Sequence, residues 1–241
     1  MSRHLVCALL LSISVPSLAS AQLWTTWTAA NVGGGTMSGT VGATSVNFSG
    51  VFSGFQLANG ASANLTQSGG LGNNYWTPAT APLRALPYQS AGVTAPDQLG
   101  FLQFAAGTPQ FGGTITFGSA VVDPLIAFIS VGQSNIPVTY NFGSANYTLL
   151  SDNTNNAAYW GVGTNDLGVG NSRAGNLLGN EFSGTIRLNG TFNSINFTTT
   201  AEAWHGVTVG VVSVVPEPST YALMAFGLVG LGVAARRRRT V

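Results

Sequence analysis

His205 is the only histidine between Gln22 and Val215, and Glu202 stands three residues before it. An imidazole beside a carboxylate is the raw material of general acid–base chemistry. In a strand, however, positions three apart face opposite sides, so this spacing does not bring the two groups together by itself. A lone histidine cannot assemble a multi-histidine zinc centre, and no metal site is expected. The other carboxylates of this stretch, Asp97, Asp123, Asp152, Asp166 and Glu181, are scattered. A glycosidase needs two carboxyl groups facing one another across a cleft, and sequence positions do not say which acids converge. The G-x-S-x-G turn that would expose a nucleophilic serine is missing. No catalytic residue and no cofactor is assigned. The expectation is a non-enzyme, with a glycosidase as the weakest alternative.

Two turn-like stretches are rich in oxygen, Asp152-Asn153-Thr154-Asn155-Asn156 and Gly163-Thr164-Asn165-Asp166. Calcium takes such ligands, but neither stretch has the complete EF-hand spacing, and Asx residues serve turns for backbone reasons of their own. The aromatic residues offer a different chemistry. Tyr75-Trp76 and Tyr159-Trp160 flank turn-rich segments, where exposed rings stack on sugar faces; buried rings would simply be core. These four residues are the candidates if the chain is an extracellular carbohydrate-binding module, the leading alternative.

The elements that must position these residues read as strands. Thr114-Ile115-Thr116-Phe117 alternates polar with apolar, while Leu125–Val131 is a near-continuous apolar run short enough for a strand buried on both faces. Pro137–Phe142, Tyr147–Leu150, Gly184–Leu188, Thr191–Thr198 and Val207–Val215 continue the series. Asn189-Gly190 falls between two of them and predicts a type I′ hairpin. Residues 77–110 carry five prolines and read as a long excursion connecting the front of the fold to its back. The expected fold is all-β: one antiparallel, jelly-roll-like sandwich over residues 22–214.

Composition narrows the partners. Only 6% of the 241 residues are charged and lysine is absent. Between Gln22 and Val215 three arginines face six carboxylates, which leaves nothing basic to bind nucleic acid. The single cysteine, Cys7, lies in the N-terminal apolar run. There, Arg3, the apolar run Leu5–Val15, Pro16 and the small pair Ala19 and Ala21 make a signal peptide over residues 1–21, with cleavage expected after Ala21.

The other end, residues 215–241, explains the near-neutral total. Val215, Pro216, Glu217 and Pro218 form a stiff extended strip, because each proline pushes its predecessor toward extended backbone. Ser219–Ala235 is uncharged and, as a helix at ~1.5 Å per residue, spans most of the ~30 Å hydrocarbon core. Arg236, Arg237, Arg238 and Arg239 follow. At roughly 2.5–3.5 kcal/mol each at a membrane centre, they halt translocation and favour the cytoplasmic face. The expectation is a single transmembrane helix with the β-domain outside.

This succession of V-P-E-P, a short apolar helix and an arginine cluster resembles the PEP-CTERM sorting signal of exported proteins in Gram-negative bacteria. The resemblance covers about the last 27 residues. It implies that Pro216, Glu217 and Pro218 are read by an exosortase, that an inner-membrane-anchored precursor precedes a surface or matrix form, and that the setting is exopolysaccharide and biofilm. The expected function is a non-enzymatic surface or extracellular-matrix protein, with the membrane, exosortase and extracellular polysaccharide as partners.

Overall fold

The structure, a computed structural model of the chain, describes residues 19–65, 74–76, 86–90, 93–105, 110–155, 161–200, 202–215 and 227. The chain divides into two compact units, Gln22–Ser213 and a second made of Met1–Ala21 with Val214–Val241. Almost all described residues belong to the first. Tyr159, Trp160, Pro216, Glu217, Pro218 and Arg236 to Arg239 lie outside the described residues, and Ala19 and Ala21 are described in backbone only. Among the described residues no helix is long and apolar enough to cross a membrane.

The first unit is all-β. Its strands are β1 (Ala19–Trp24), β2 (Thr26–Asn31), β3 (Thr36–Val41), β4 (Thr44–Val51), β5 (Gly54–Gln56), β6 (Ser62–Ala63), β7 (Phe101–Ala105), β8 (Gln110–Val122), β9 (Leu125–Val131), β10 (Val138–Ser151), β11 (Thr164–Asn165), β12 (Ser172–Asn180), β13 (Phe182–Leu188), β14 (Thr191–Thr200) and β15 (Trp204–Val215). They form one sheet in the order β2-β3-β4-β8-β14-β10-β13-β9-β15-β7-β5-β6, with β1 on β15, β12 on β10 and β11 on β12. The all-β antiparallel expectation holds. The layers are not the two separately bonded sheets of a jelly roll but one sheet curled on itself.

β10 makes the curl. Its first half pairs with β14 (Tyr140↔Thr199), and its second half pairs with β13 (Tyr147↔Leu188). Between them its register against β12 shifts from Asn141 to Asn146, around Gly143 at φ +64°. A left-handed residue inside a strand bends it and raises its twist. The two runs read separately from the sequence, on either side of this glycine, are therefore one strand.

The curl closes over an aromatic core. Phe104 of β7 meets Phe197 of β14 edge-on at 6.0 Å, Phe128 of β9 meets Tyr140 at 4.9 Å, and Trp27 Nε1 donates to Thr208 Oγ1 at 3.0 Å. Such ring pairs add about 0.5–1.5 kcal/mol each beyond the area they bury. The fully buried run of β9 splits by alternation, as its sequence suggests. Ile126 and Phe128 enter this core, while Leu125, Ala127 and Ile129 enter a second cluster with Trp24, Tyr75, Trp76, Tyr88, Phe101 and Trp204.

Three expectations need correction. The proline-rich excursion is not all connection: it contains β7, and the 3-10 turn Leu86–Tyr88 contributes Tyr88 to the second cluster. Seven strands precede the first one legible by alternation, β8, because the outward positions of β2 to β4 are filled by small Ser, Thr, Asn, Ala and Gly that blur the period. Asn189-Gly190 is not a hairpin either. β13 bonds to β9 and β10, and β14 to β8 and β10, so the pair is a crossing between layers. Only Gly190 has positive φ there, at +131°, whereas a type I′ turn needs both residues positive.

Candidate functional site

The densest polar cluster sits where β9 bulges. Between the pairs Gly184↔Phe128 and Phe182↔Val131, β9 carries one residue more than β13. Ser130 absorbs it at φ +52°, and Glu181, just before β13, also has φ +52°. Non-glycine residues there cost about 1–3 kcal/mol and persist only where their surroundings hold them. Here a side-chain network does so. Ser130 N–H donates to Ser183 Oγ at 3.0 Å, and Ser130 Oγ donates to Glu181 Oε2 at 2.6 Å. Buried Asn153 donates to Glu181 O at 2.8 Å and accepts from Ser183 N–H at 2.9 Å.

Glu202 and His205 complete the cluster. Glu202 Oε1 accepts from Gly132 N–H at 2.5 Å and lies 2.9 Å from His205 Nδ1, with both side chains buried. The strand-alternation argument against their meeting does not apply, because Glu202 precedes β15 and only His205 belongs to it. The imidazole is clamped between Phe104 at 5.4 Å and Tyr140 at 5.5 Å.

Burial sets the protonation of the pair. It pushes Glu202 from 4.5 up to about 8 against the opposing Gly132 hydrogen bond, and pushes His205 from 6.5 down to about 3. Glu181 is raised as well, by burial first, with the Ser130 hydrogen bond opposing and the Glu202 charge adding. Near pH 6 the pair thus holds one proton, on the carboxyl, beside a neutral imidazole. That arrangement can share a proton, but the pair sits in the interior. A groove of about 450 Å³ reaches Glu181 between Pro137, Val162 and Asn180, and Glu202 does not line it.

The other sequence candidates fall as follows. Tyr75 and Trp76 are buried at 1% and 0% exposure, packed on Trp204, Phe101 and Tyr88. They present no face to a sugar, which corrects that assignment; their turn-rich flanks suggested exposure, but the outer face of β7, β9 and β15 covers the rings. The oxygen-rich turns are self-satisfied. Asp152 accepts from Thr154 and from Asn165 Nδ2 at 2.9 Å, and Asn165 Oδ1 caps Leu167 N–H and Gly168 N–H. Among the described residues no three His, Cys, Asp or Glu gather as metal ligands. Asp166 pairs with Arg173 at 2.6 Å.

What sequence reasoning missed is an open groove of about 770 Å³ on the outer face, lined by β8, β10 and β14 and bordered by Val51 of β4. Its polar side chains, Gln110, Thr114, Asn141, Ser144, Asn196 and Thr198, are hydroxyls and amides, and no charged residue lines it. Their period-two spacing was the available signal.

Residues 214–239 match the family described as PEP-CTERM protein-sorting motif. No curated protein and no solved structure matches the chain. The chain therefore carries a PEP-CTERM sorting motif, and with it the implied dealings with an exosortase system, beside an all-β unit.

Proposed function

We propose that this chain is an exported, non-enzymatic protein whose β-domain acts at the cell surface or in the extracellular matrix, delivered through its PEP-CTERM segment. The match over residues 214–239 carries this reading. The signal-peptide pattern at residues 1–21, the uncharged run and the terminal arginines are consistent with it. In this reading the precursor is held in the inner membrane by a helix over Ser219–Ala235 until an exosortase processes it, and the mature form belongs to a biofilm matrix rich in exopolysaccharide. The β-domain supports a non-catalytic role in one respect: its most perturbed acid and its only histidine are sealed against each other in the core.

The test is Glu217→Ala. It leaves both prolines, the apolar run and the arginines intact, and removes the one charge of the extended strip. An exosortase reading of Pro216-Glu217-Pro218 requires tailed precursor to accumulate, measured by mass spectrometry as the ratio of tailed to trimmed chain. Equal trimming in both strains overturns it.

A second reading, an extracellular carbohydrate-binding module, is favoured by the uncharged groove on β8, β10 and β14.

A further inference from the structure

We propose that the groove on the outer face of β4, β8, β14 and β10 is a binding site for an extended chain of uncharged sugars. This rests on the carbohydrate-binding reading and moves it from the aromatic residues to a sheet surface.

The sheet register supplies the geometry. One row across the strands reads Thr36, Ser49, Thr114 and Asn196, and a second reads Ser38, Asn47, Thr116 and Ser194. A third continues past them: Val51, Gly112, Thr198, Asn141 and Asn176. Residues two apart along a strand share a face, so the rows lie side by side and outward. Neighbouring strands stand ~4.7–4.9 Å apart, close to the length of one pyranose residue in an extended chain. Each strand thus offers a hydroxyl or amide at about the interval at which such a chain repeats its own hydroxyls.

Two amides are already oriented. Thr114 Oγ1 donates to Asn196 Oδ1 at 2.6 Å, and Asn141 Oδ1 accepts from Gly143 N–H at 2.7 Å. Each contact uses the carbonyl oxygen and leaves the NH₂ without a partner among the described residues. Donors fixed before a ligand arrives save the ordering cost that mobile side chains would incur. Val51, half exposed, lies beside Gly112, which has no side chain. That pair forms the apolar strip on which the C–H face of a sugar ring can rest.

The groove also continues. Asn141 and Gly143 line a second depression of about 510 Å³ that ends at Arg173 and Asp166. Those two neutralise each other at 2.6 Å, and Arg173 Nε further donates to Tyr147 Oη at 2.9 Å. The whole track is without net charge, which selects against uronic or sulfated chains and for neutral ones.

The experiment is native gel electrophoresis of the full chain, purified in detergent, through gels containing hydroxyethyl cellulose, glucomannan or polygalacturonate. The neutral gels should retard the wild type and polygalacturonate should not. Thr198→Trp, which fills the middle of the third row from an exposed strand position, should weaken neutral-gel affinity at least tenfold. Asn141→Ala with Asn196→Ala should do the same without adding bulk, which covers the case in which the tryptophan variant fails to fold. Val122→Trp, exposed but outside the groove, should bind as wild type. No retardation in either neutral gel overturns both this site and the carbohydrate-binding reading. Retardation unchanged in both groove variants overturns the site alone, and its loss in Trp160→Ala would then locate binding at the aromatic pair. Stronger retardation by polygalacturonate overturns the uncharged-ligand assignment.

Discussion

Asp123 and Gly190 hold one another across the two corners where the chain passes between layers. Gly190 N–H donates to Asp123 Oδ1 at 2.8 Å, and Asp123 N–H donates to Gly190 O at 2.7 Å. Asp123 links β8 to β9, Gly190 links β13 to β14, and Asp123 takes φ +50° to do so. Asp123→Ala removes one bond and puts a residue poorly suited to the left-handed region there. A loss of about 1–3 kcal/mol is expected, against less than half of that for Asp123→Asn, which keeps the acceptor. Urea denaturation of both variants measures this. Equal stability of all three chains would mean the corners are held elsewhere.

The Glu202–His205 pair predicts a stability plateau. Folded His205 titrates near 3 and unfolded near 6.5, so between these values the unfolded chain binds more protons and stability rises with pH. Folded Glu202 titrates near 8 and unfolded near 4.5, so between these the folded chain binds more and stability falls with pH. From the pair alone, stability climbs between pH 3 and 4.5, stays level to 6.5 as the slopes cancel, and declines toward 8. Each slope is at most about 1.4 kcal/mol per pH unit. In Glu202→Gln the decline disappears and the climb extends to 6.5. Urea midpoints across pH 3–8 read both curves, and a variant curve parallel to the parent's contradicts the assignment.

Gly184 and Gly143 are glycines for different reasons, and alanine should separate them. A Cβ on Gly184 would sit 2.1 Å from Ser151 O and 2.9 Å from the Phe182 ring, so β13 must shift from β10. About 3 kcal/mol or more is expected, the upper end of overpacking costs. Gly143 has φ +64° with nothing within 4 Å, so only backbone handedness opposes alanine there, at roughly 1–2 kcal/mol. Thermal unfolding ranks the two; the reverse order would place the strain of the bend at Gly143 itself.

Replacing Arg236, Arg237, Arg238 and Arg239 with Ser removes a translocation penalty of roughly 2.5–3.5 kcal/mol per residue. Membrane retention of the precursor should fall, and the C-terminal end should become accessible to protease from outside. Fractionation with protease protection reports both, and unchanged orientation would assign arrest to the apolar run alone.

How legible was this in the residues? β9 was, because a near-continuous run with six apolar residues in seven can satisfy two cores only as a doubly buried strand. β8 and β14 were, through alternation. Asn189-Gly190 misled because local turn chemistry does not distinguish a hairpin from a crossing, which is decided by distant Asp123. Tyr75 and Trp76 misled because their neighbours describe a turn, whereas their burial depends on β7, β9 and β15. The contact of Glu202 with His205 was not legible, because it depends on where β15 begins, and element boundaries are the least readable feature of a sequence. The groove residues were individually unremarkable Ser, Thr and Asn, and only register across four strands makes them a row.

The position of β15 has a mechanical consequence. It lies inside the sheet, bonded antiparallel to β9 through Gly206–Gly210 and to β7 through Trp204–Val207, and it runs to Val215, where the sorting segment starts. Antiparallel bonds stand perpendicular to their strands. A pull along β15 therefore loads both ladders in shear, all bonds at once, where an edge strand would peel open one bond at a time. A domain tethered through this strand would resist drag from a flowing medium by sharing the load across its centre.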